Sequence, residues 1–169
     1  SSQVDVDAAI DWIIFDAYCS NSDILNNVRY MQSTQDNIWH YVFYDLDWSM
    51  YTHYTMAPLD PEEQFSMIPR GLLQNPEFRD RFLKRLAYLL GTTLSDENVL
   101  ARIDELTREL EPEMPRERQT WEGSMDGWYY RIGELKDFAH GRAEEVIWDF
   151  ADYLGLSSQD VQSYFGDLL

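Results

Sequence analysis

The sequence predicts a mainly α-helical chain carrying one small β-hairpin, an α+β arrangement. Three observations predict it. Apolar residues recur at helical spacing through most of the 169 residues. Helix punctuation is dense, with Asn75-Pro76, Ser95 and Ser157 each standing just before such a run. Strand character is confined to one stretch, Val28–Ser33 and Ile38–Tyr44, with Gln35, Asp36 and Asn37 between them as a turn.

In order along the chain, residues 5–19 read as a helix. Ile10, Ile13, Ile14, Ala17 and Tyr18 make one apolar stripe, and Asp5 or Asp7 caps the start. Asn21, Ser22 and Asp23 end it and open a polar loop. The hairpin follows. Its second strand is apolar or aromatic at nearly every position, a pattern that predicts cover on both faces. Residues 48–62 have no period and read as an irregular loop with a helical turn. Met67–Leu73 is a short helix. Pro76 begins a longer one, with Phe78, Phe82, Leu86, Leu89 and Leu90 facing in and Gly91 at its end. Val99, Ile103, Leu106 and Leu110 give the next stripe. Glu113–Glu122 is charged and helical. Residues 127–153 read as a long helix, or two, weakened at Gly133 and Gly141, with Trp128, Ile132, Leu135, Phe138, Val146 and Phe150 inward. Val161, Tyr164, Phe165 and Leu168 line the last helix.

Composition narrows the function classes. Hydrophobic residues make up 44% and aromatics 15%, enough for one domain spanning 1–169 with a real core. The net charge of -18 repels nucleic acid and anionic membrane, so neither is expected as a main partner. No apolar run approaches the ~18 residues of a membrane span, so no membrane insertion is expected. A lone Cys19 forbids an internal disulfide and reads as a buried thiol. His40, His53 and His140 share no metal-ligand spacing and read as structural. The chain opens on Ser-Ser-Gln with neither an initiator Met nor a signal peptide, and is expected to be part of a longer protein.

The chemistry sits at the open end of the hairpin. Folding it brings Asp23, Asn27 and Asp45 together. Phosphoryl transfer needs that set: one carboxylate for the attacking hydroxyl, and oxygen ligands for a metal on the phosphates. Asp23, Asn26 and Asn27 are also ordinary turn residues. Asp45 and Asp47 are harder to dismiss. At a strand end they would share one face with Leu46 on the other, and two carboxylates on one face repel unless a cation lies between them.

These residues resemble the CotH-type atypical protein kinases, the spore-coat kinase family. The resemblance rests on Asn21-Ser-Asp23, on Asn27-Val-Arg-Tyr30, and on Tyr44-Asp-Leu-Asp-Trp48. It continues through the helical part in the stretch Asn75–Phe82, in Ile103–Leu106, in Glu111–Met114, and in Phe138 followed by Arg142. It implies the C-terminal lobe of a kinase. Residues 1–58 would hold the catalytic loop, hairpin and metal-binding segment, and 59–169 a helical subdomain. It implies Asp23 as catalytic, with Asn27 and Asp45 as metal ligands that also bind the nucleotide. Asp47 would support the site or hold a second ion. Asp23 to Asn27 is four residues, against five in typical protein kinases; family loops vary here, and Asn26 is the alternative for that role. Mg²⁺ (or Mn²⁺) and ATP are the implied cofactor and co-substrate. The implied partners are a protein bearing Ser or Thr and an upstream N-terminal lobe of the same chain, without which the piece is inactive or nearly so. The implied setting is bacterial: spore coat, cell surface or secreted. Two further readings are a non-catalytic kinase-like module binding proteins or surface polymers through residues 48–56, and an acidic helical module binding basic proteins.

Overall fold

The structure, a computed structural model, describes residues 3–169. Nine α-helices and a two-stranded antiparallel sheet are present among them. Helix α1 (Val6–Cys19) is central. Ala9, Ile10, Trp12, Ile13, Ile14, Ala17 and Tyr18 are all buried, so the helix is enclosed nearly all round rather than along one stripe. It packs against the hairpin, against α4 (Pro76–Leu90) and against α8 (Arg142–Leu154). Asp5 caps its start, accepting 3.0 Å bonds from the Asp7 and Ala8 amides.

The α4 face fills the space beside it. Phe78, Phe82, Leu83, Leu86, Leu89 and Leu90 are buried, and the Phe82 ring meets Phe150 of α8 at 5.0 Å between centroids. Asn75 caps α4 with Pro76 at the first position, as its sequence requires. Gly91 follows with φ of −82°, so that helix ends without a left-handed turn. Arg85 grips Asp11 through two bonds of 2.7 and 2.9 Å, tying α4 to α1. Helix α9 (Ser158–Phe165), fixed by a Ser157–Asp160 capping box, adds Val161 and Phe165 to the same core.

One expectation needs correction. The hairpin strands are β1 (Arg29–Gln32) and β2 (Trp39–Val42), in register Arg29↔Val42 to Gln32↔Trp39. They are not covered on both faces: β1 is exposed throughout, and only Tyr41 of β2 is buried, stacked on Trp12 at 4.7 Å. The aromatic run exceeds what one helix can cover, so Trp39, Phe43 and Tyr44 stay exposed. The stripe of α5 (Asp96–Leu110) packs chiefly on α7 (Met125–Ala139), with Val99 against the main core, and no α5 residue is fully buried. The long C-terminal run, read as one helix or two, is two helices. His140 and Gly141 separate α7 from α8, Gly141 takes φ of 72°, and its amide donates to the Asp96 carboxylate at 2.6 Å. The remaining helices are the four-residue α2 (Ile24–Asn27), α3 (Met67–Leu73) and α6 (Met114–Thr120). Short 3₁₀ turns at Ala57–Leu59 and Gln64–Ser66 interrupt the irregular segment.

The C-terminus of α1 is where the fold prepares its site. Arg142 is the largest fully buried side chain. Its Nε donates to the Tyr18 carbonyl at 2.9 Å, and one terminal nitrogen donates to the Ala17 carbonyl at 2.7 Å. The other terminal nitrogen meets the Glu145 carboxylate at 2.8 Å, and the guanidinium lies over the Phe138 ring at 5.1 Å. Carbonyls at the helix end are thus capped by a cation, the charge that end favours. Replacing Arg142 with Leu strands the Tyr18 carbonyl, leaves Ala17 only the 3.3 Å bond from the Ser20 amide, and leaves Glu145 without its buried partner. The expected loss is about 3–5 kcal/mol in urea denaturation, with Arg142→Lys recovering only part because an ammonium cannot fork.

Candidate active site

Helix α1 ends in a left-handed residue, Ser20, at φ of 51°, which turns the chain out into the loop. Asn21 is buried there. Its side-chain NH2 donates to the buried Asp16 carboxylate at 3.1 Å, and its Oδ1 accepts the Asp23 backbone N–H at 3.1 Å. Asp23 stands before α2, yet its carboxylate caps no backbone amide. Instead Oδ1 accepts from the Asn26 amide at 2.8 Å and Oδ2 from the Asn27 amide at 3.1 Å. Asn27 is buried, and its NH2 also lies 3.5 Å from the Asp45 carbonyl.

The segment after β2 is laid along this loop by a run of hydrogen bonds. Ser22 donates to the Trp48 carbonyl from its amide at 3.1 Å and its hydroxyl at 2.8 Å. The Met50 amide donates to the Cys19 carbonyl at 2.7 Å. Ser20 Oγ meets the Thr52 hydroxyl at 2.8 Å and accepts the Tyr54 amide at 2.8 Å. Left-handed Asp45, at φ of 56°, turns the chain into this path. Residues 43–47 are therefore not strand, and the alternation expected to align Asp45 with Asp47 does not operate. The two carboxylates are neighbours all the same. Partial loss of hydration pushes Asp45 above the usual carboxylate range, and Asp47, then Asp23, push it further; Arg29 opposes them. Arg29 itself is held by the Asn26 and Val28 carbonyls at 2.7 and 3.1 Å and lies over the Tyr44 ring at 4.7 Å.

The structure thus brings Asp23, Asn26 and Asn27 into direct contact and sets Asp45 and Asp47 beside them. No three His, Cys, Asp or Glu side chains among the described residues gather as a self-sufficient metal cluster. The donor set is all oxygen and carries unneutralised charge. That fits a hard divalent cation held by one or two carboxylates and completed by phosphate oxygens, the usual manner of Mg²⁺. A cavity of about 320 Å³ flanks the loop, lined by residues that include Asn21, Ser22, Leu25, Tyr54, Asp60 and Phe65. Trp48, Tyr51 and Tyr54, after the acidic pair, are exposed. Two of the three histidines hold structural partners, His40 with Asp5 at 3.0 Å and His53 with Glu145 at 2.7 Å. Cys19 is buried, its thiol pushed up to about 12 by desolvation.

Sequence reasoning missed Asp16. The signal was there: a single acid amid Ile13, Ile14, Phe15, Ala17 and Tyr18 in a helix otherwise fit for burial. Burial pushes its carboxyl up to about 6, against a smaller lowering by the Asn21 hydrogen bond.

The model of the family described as CotH kinase protein matches residues 1–146, and the chain belongs to that family. No curated protein and no solved structure matches it. No helix among the described residues is long and apolar enough to cross a membrane.

The Asp16 shift carries a stability consequence. Near pH 4 the folded group is neutral, and ionisation of the unfolded chain begins to favour unfolding. As pH rises through about 6 the folded group must ionise in place, and the full penalty, about 3 kcal/mol, is reached. Asp16→Asn should remove this slope and raise stability at pH 8 by up to about 3 kcal/mol, read by urea melts between pH 4 and 8.

Proposed function

We propose that the protein transfers the γ-phosphoryl group of ATP to Ser or Thr hydroxyls of a protein, with this chain as the C-terminal lobe. One observation carries the reading: a carboxylate, Asp23, oriented by two amide side chains at a helix–hairpin junction, with a second acidic pair adjoining. Family membership supports the kinase class.

In this reading Asp23 accepts the substrate hydroxyl's hydrogen bond and takes its proton as the oxygen attacks phosphorus. The bond from phosphorus to the β-γ bridging oxygen breaks, and ADP leaves with those electrons. Each Asp23 oxygen accepts one amide hydrogen bond in the structure and retains acceptor capacity for the incoming hydroxyl. Mg²⁺, when bound by Asp45, Asn27 and Asp47, would neutralise charge on the phosphates. Asn27 suits that role better than Asn26 because it is buried and lies against Asp45. The cavity lined by Ser22, Ile24 and Leu25 lies on the same loop, although Asp23 itself does not line it. An upstream lobe of the longer protein would cover the nucleotide. The family's link to the spore coat supports a bacterial surface or coat setting.

A second reading, a non-catalytic binding module, is favoured by the exposed Trp39, Trp48, Tyr51 and Tyr54. The two separate on the full-length protein. Asp23→Ala should cut phosphate transfer from Mg-ATP by about 10²–10⁴-fold, and Asp45→Ala should abolish its Mg²⁺ dependence, with circular dichroism unchanged. Transfer that survives both substitutions at the wild-type rate would leave the binding module standing.

A further inference from the structure

We infer that Asp16 is a positioning residue: its carboxylate fixes which way round the Asn21 amide lies, and Asn21 in turn holds Asp23 in place to meet the acceptor hydroxyl. This rests on the phosphotransferase reading of Asp23.

The argument is one of hydrogen-bond polarity. The two ends of an Asn amide are nearly equal in shape but opposite in chemistry: one donates, one accepts. Asp23 presents a backbone N–H to Asn21, so only the carbonyl end of that amide can answer it, at 3.1 Å. The other end, NH2, must then face an acceptor. A carboxylate is the one side chain of this size that accepts and cannot donate, and Asp16 stands there at 3.1 Å. An Asn at position 16 would satisfy either orientation of Asn21 and select neither. The backbone agrees, since the Asn21 amide is directed at the Asp16 carbonyl at 3.4 Å. Thus both the main chain and the side chain of Asn21 are referenced to one residue of the central helix.

The surroundings leave this job to Asp16 alone. The Cys19 thiol on the same helix stays neutral, pushed up to about 12 by burial and by Asp16 itself. Arg142 of α8 reaches the same helix end, but its donors are committed to the Ala17 and Tyr18 carbonyls and to Glu145. Asp16 is 2% exposed, so no water competes for Asn21. A proton on Asp16 turns one of its oxygens into a donor and frees the Asn21 amide to reverse. Reversal puts NH2 against the Asp23 N–H, two donors face to face, and the loop shifts.

The test uses the full-length protein with radiolabelled Mg-ATP and casein as acceptor. At pH 8, Asp16→Asn should lower kcat about 10- to 100-fold while KM for ATP stays within about twofold, the pattern of a misplaced reacting group rather than lost nucleotide binding. Wild-type kcat should fall as pH drops through about 6, and Asp16→Asn should lack that limb. In the isolated chain, nuclear magnetic resonance should show the Asn21 side-chain amide and the Asp23 backbone amide titrating together with the Asp16 carboxyl. Wild-type kcat in Asp16→Asn, with Asp23→Ala inactive, overturns the positioning role and leaves the phosphotransferase reading intact. Full activity in Asp23→Ala overturns that reading instead, and the role of Asp16 in catalysis with it. An Asp23 amide that ignores the Asp16 titration overturns the positioning role whatever the kinetics.

Discussion

Everything that matters in this molecule hangs from the C-terminal end of one buried helix. There Arg142, from more than a hundred residues away, donates to the Tyr18 carbonyl and joins the Ser20 amide on the Ala17 carbonyl. A guanidinium that is fully buried must find acceptors on every side or destabilise the fold. Here the acceptors are two helix carbonyls and Glu145, and Glu145 also holds His53 from the segment past the acidic pair. One cation therefore registers α1, α8 and the loop after the hairpin against each other. The apolar core around Ile13, Ile14, Phe82 and Phe150 supplies most of the stability, but it does not by itself fix where α1 stops.

The polar loop inherits its precision from that stop. Ser20 turns the chain, Asn21 reads its position off Asp16, and Asp23 is delivered to Asn26 and Asn27. The opposite wall, residues 45–54, is bonded to the same few residues rather than to a large sheet. A two-stranded hairpin is a marginal scaffold by itself. Anchoring it to the central helix through Trp12 and Tyr41, and its exit through Ser22 and Cys19, makes it rigid where rigidity counts.

Much of the helical architecture was legible because its signals are local. Asn75-Pro76, Ser95 and Ser157 cap helices as their chemistry demands, and apolar spacing identified the inner faces of α4 and α9. Burial was less legible. The aromatic text of β2 reads like a core strand, yet cover depends on what else packs there, and only one helix does. For the same reason the apolar stripe of α5 gave no hint that it would lie at the periphery. In the candidate site, the convergence of Asp23, Asn27 and Asp45 followed from the order of loop and hairpin. The alignment of Asp45 with Asp47 was reached through the wrong geometry, since strand periodicity says nothing once a left-handed residue intervenes. Asp16 and Arg142 escaped because their roles are set by partners distant in space or by the orientation of an amide, and neither leaves a periodic trace.

The outer helices carry a different consequence. α5, α6 and α7 pack chiefly on one another, and α5 and α6 have no buried residue at all. Their link to the rest runs through Phe138, the α7–α8 corner and the bond from Gly141 to Asp96. Such a layer is a separate cooperative unit, able to open while α1, α4 and α8 stay closed. Amide protons in α5 and α6 should then exchange with solvent deuterium long before those of α1. The loop carrying Asp23, bonded to the slow-exchanging unit, would keep its form through excursions of about a quarter of the chain.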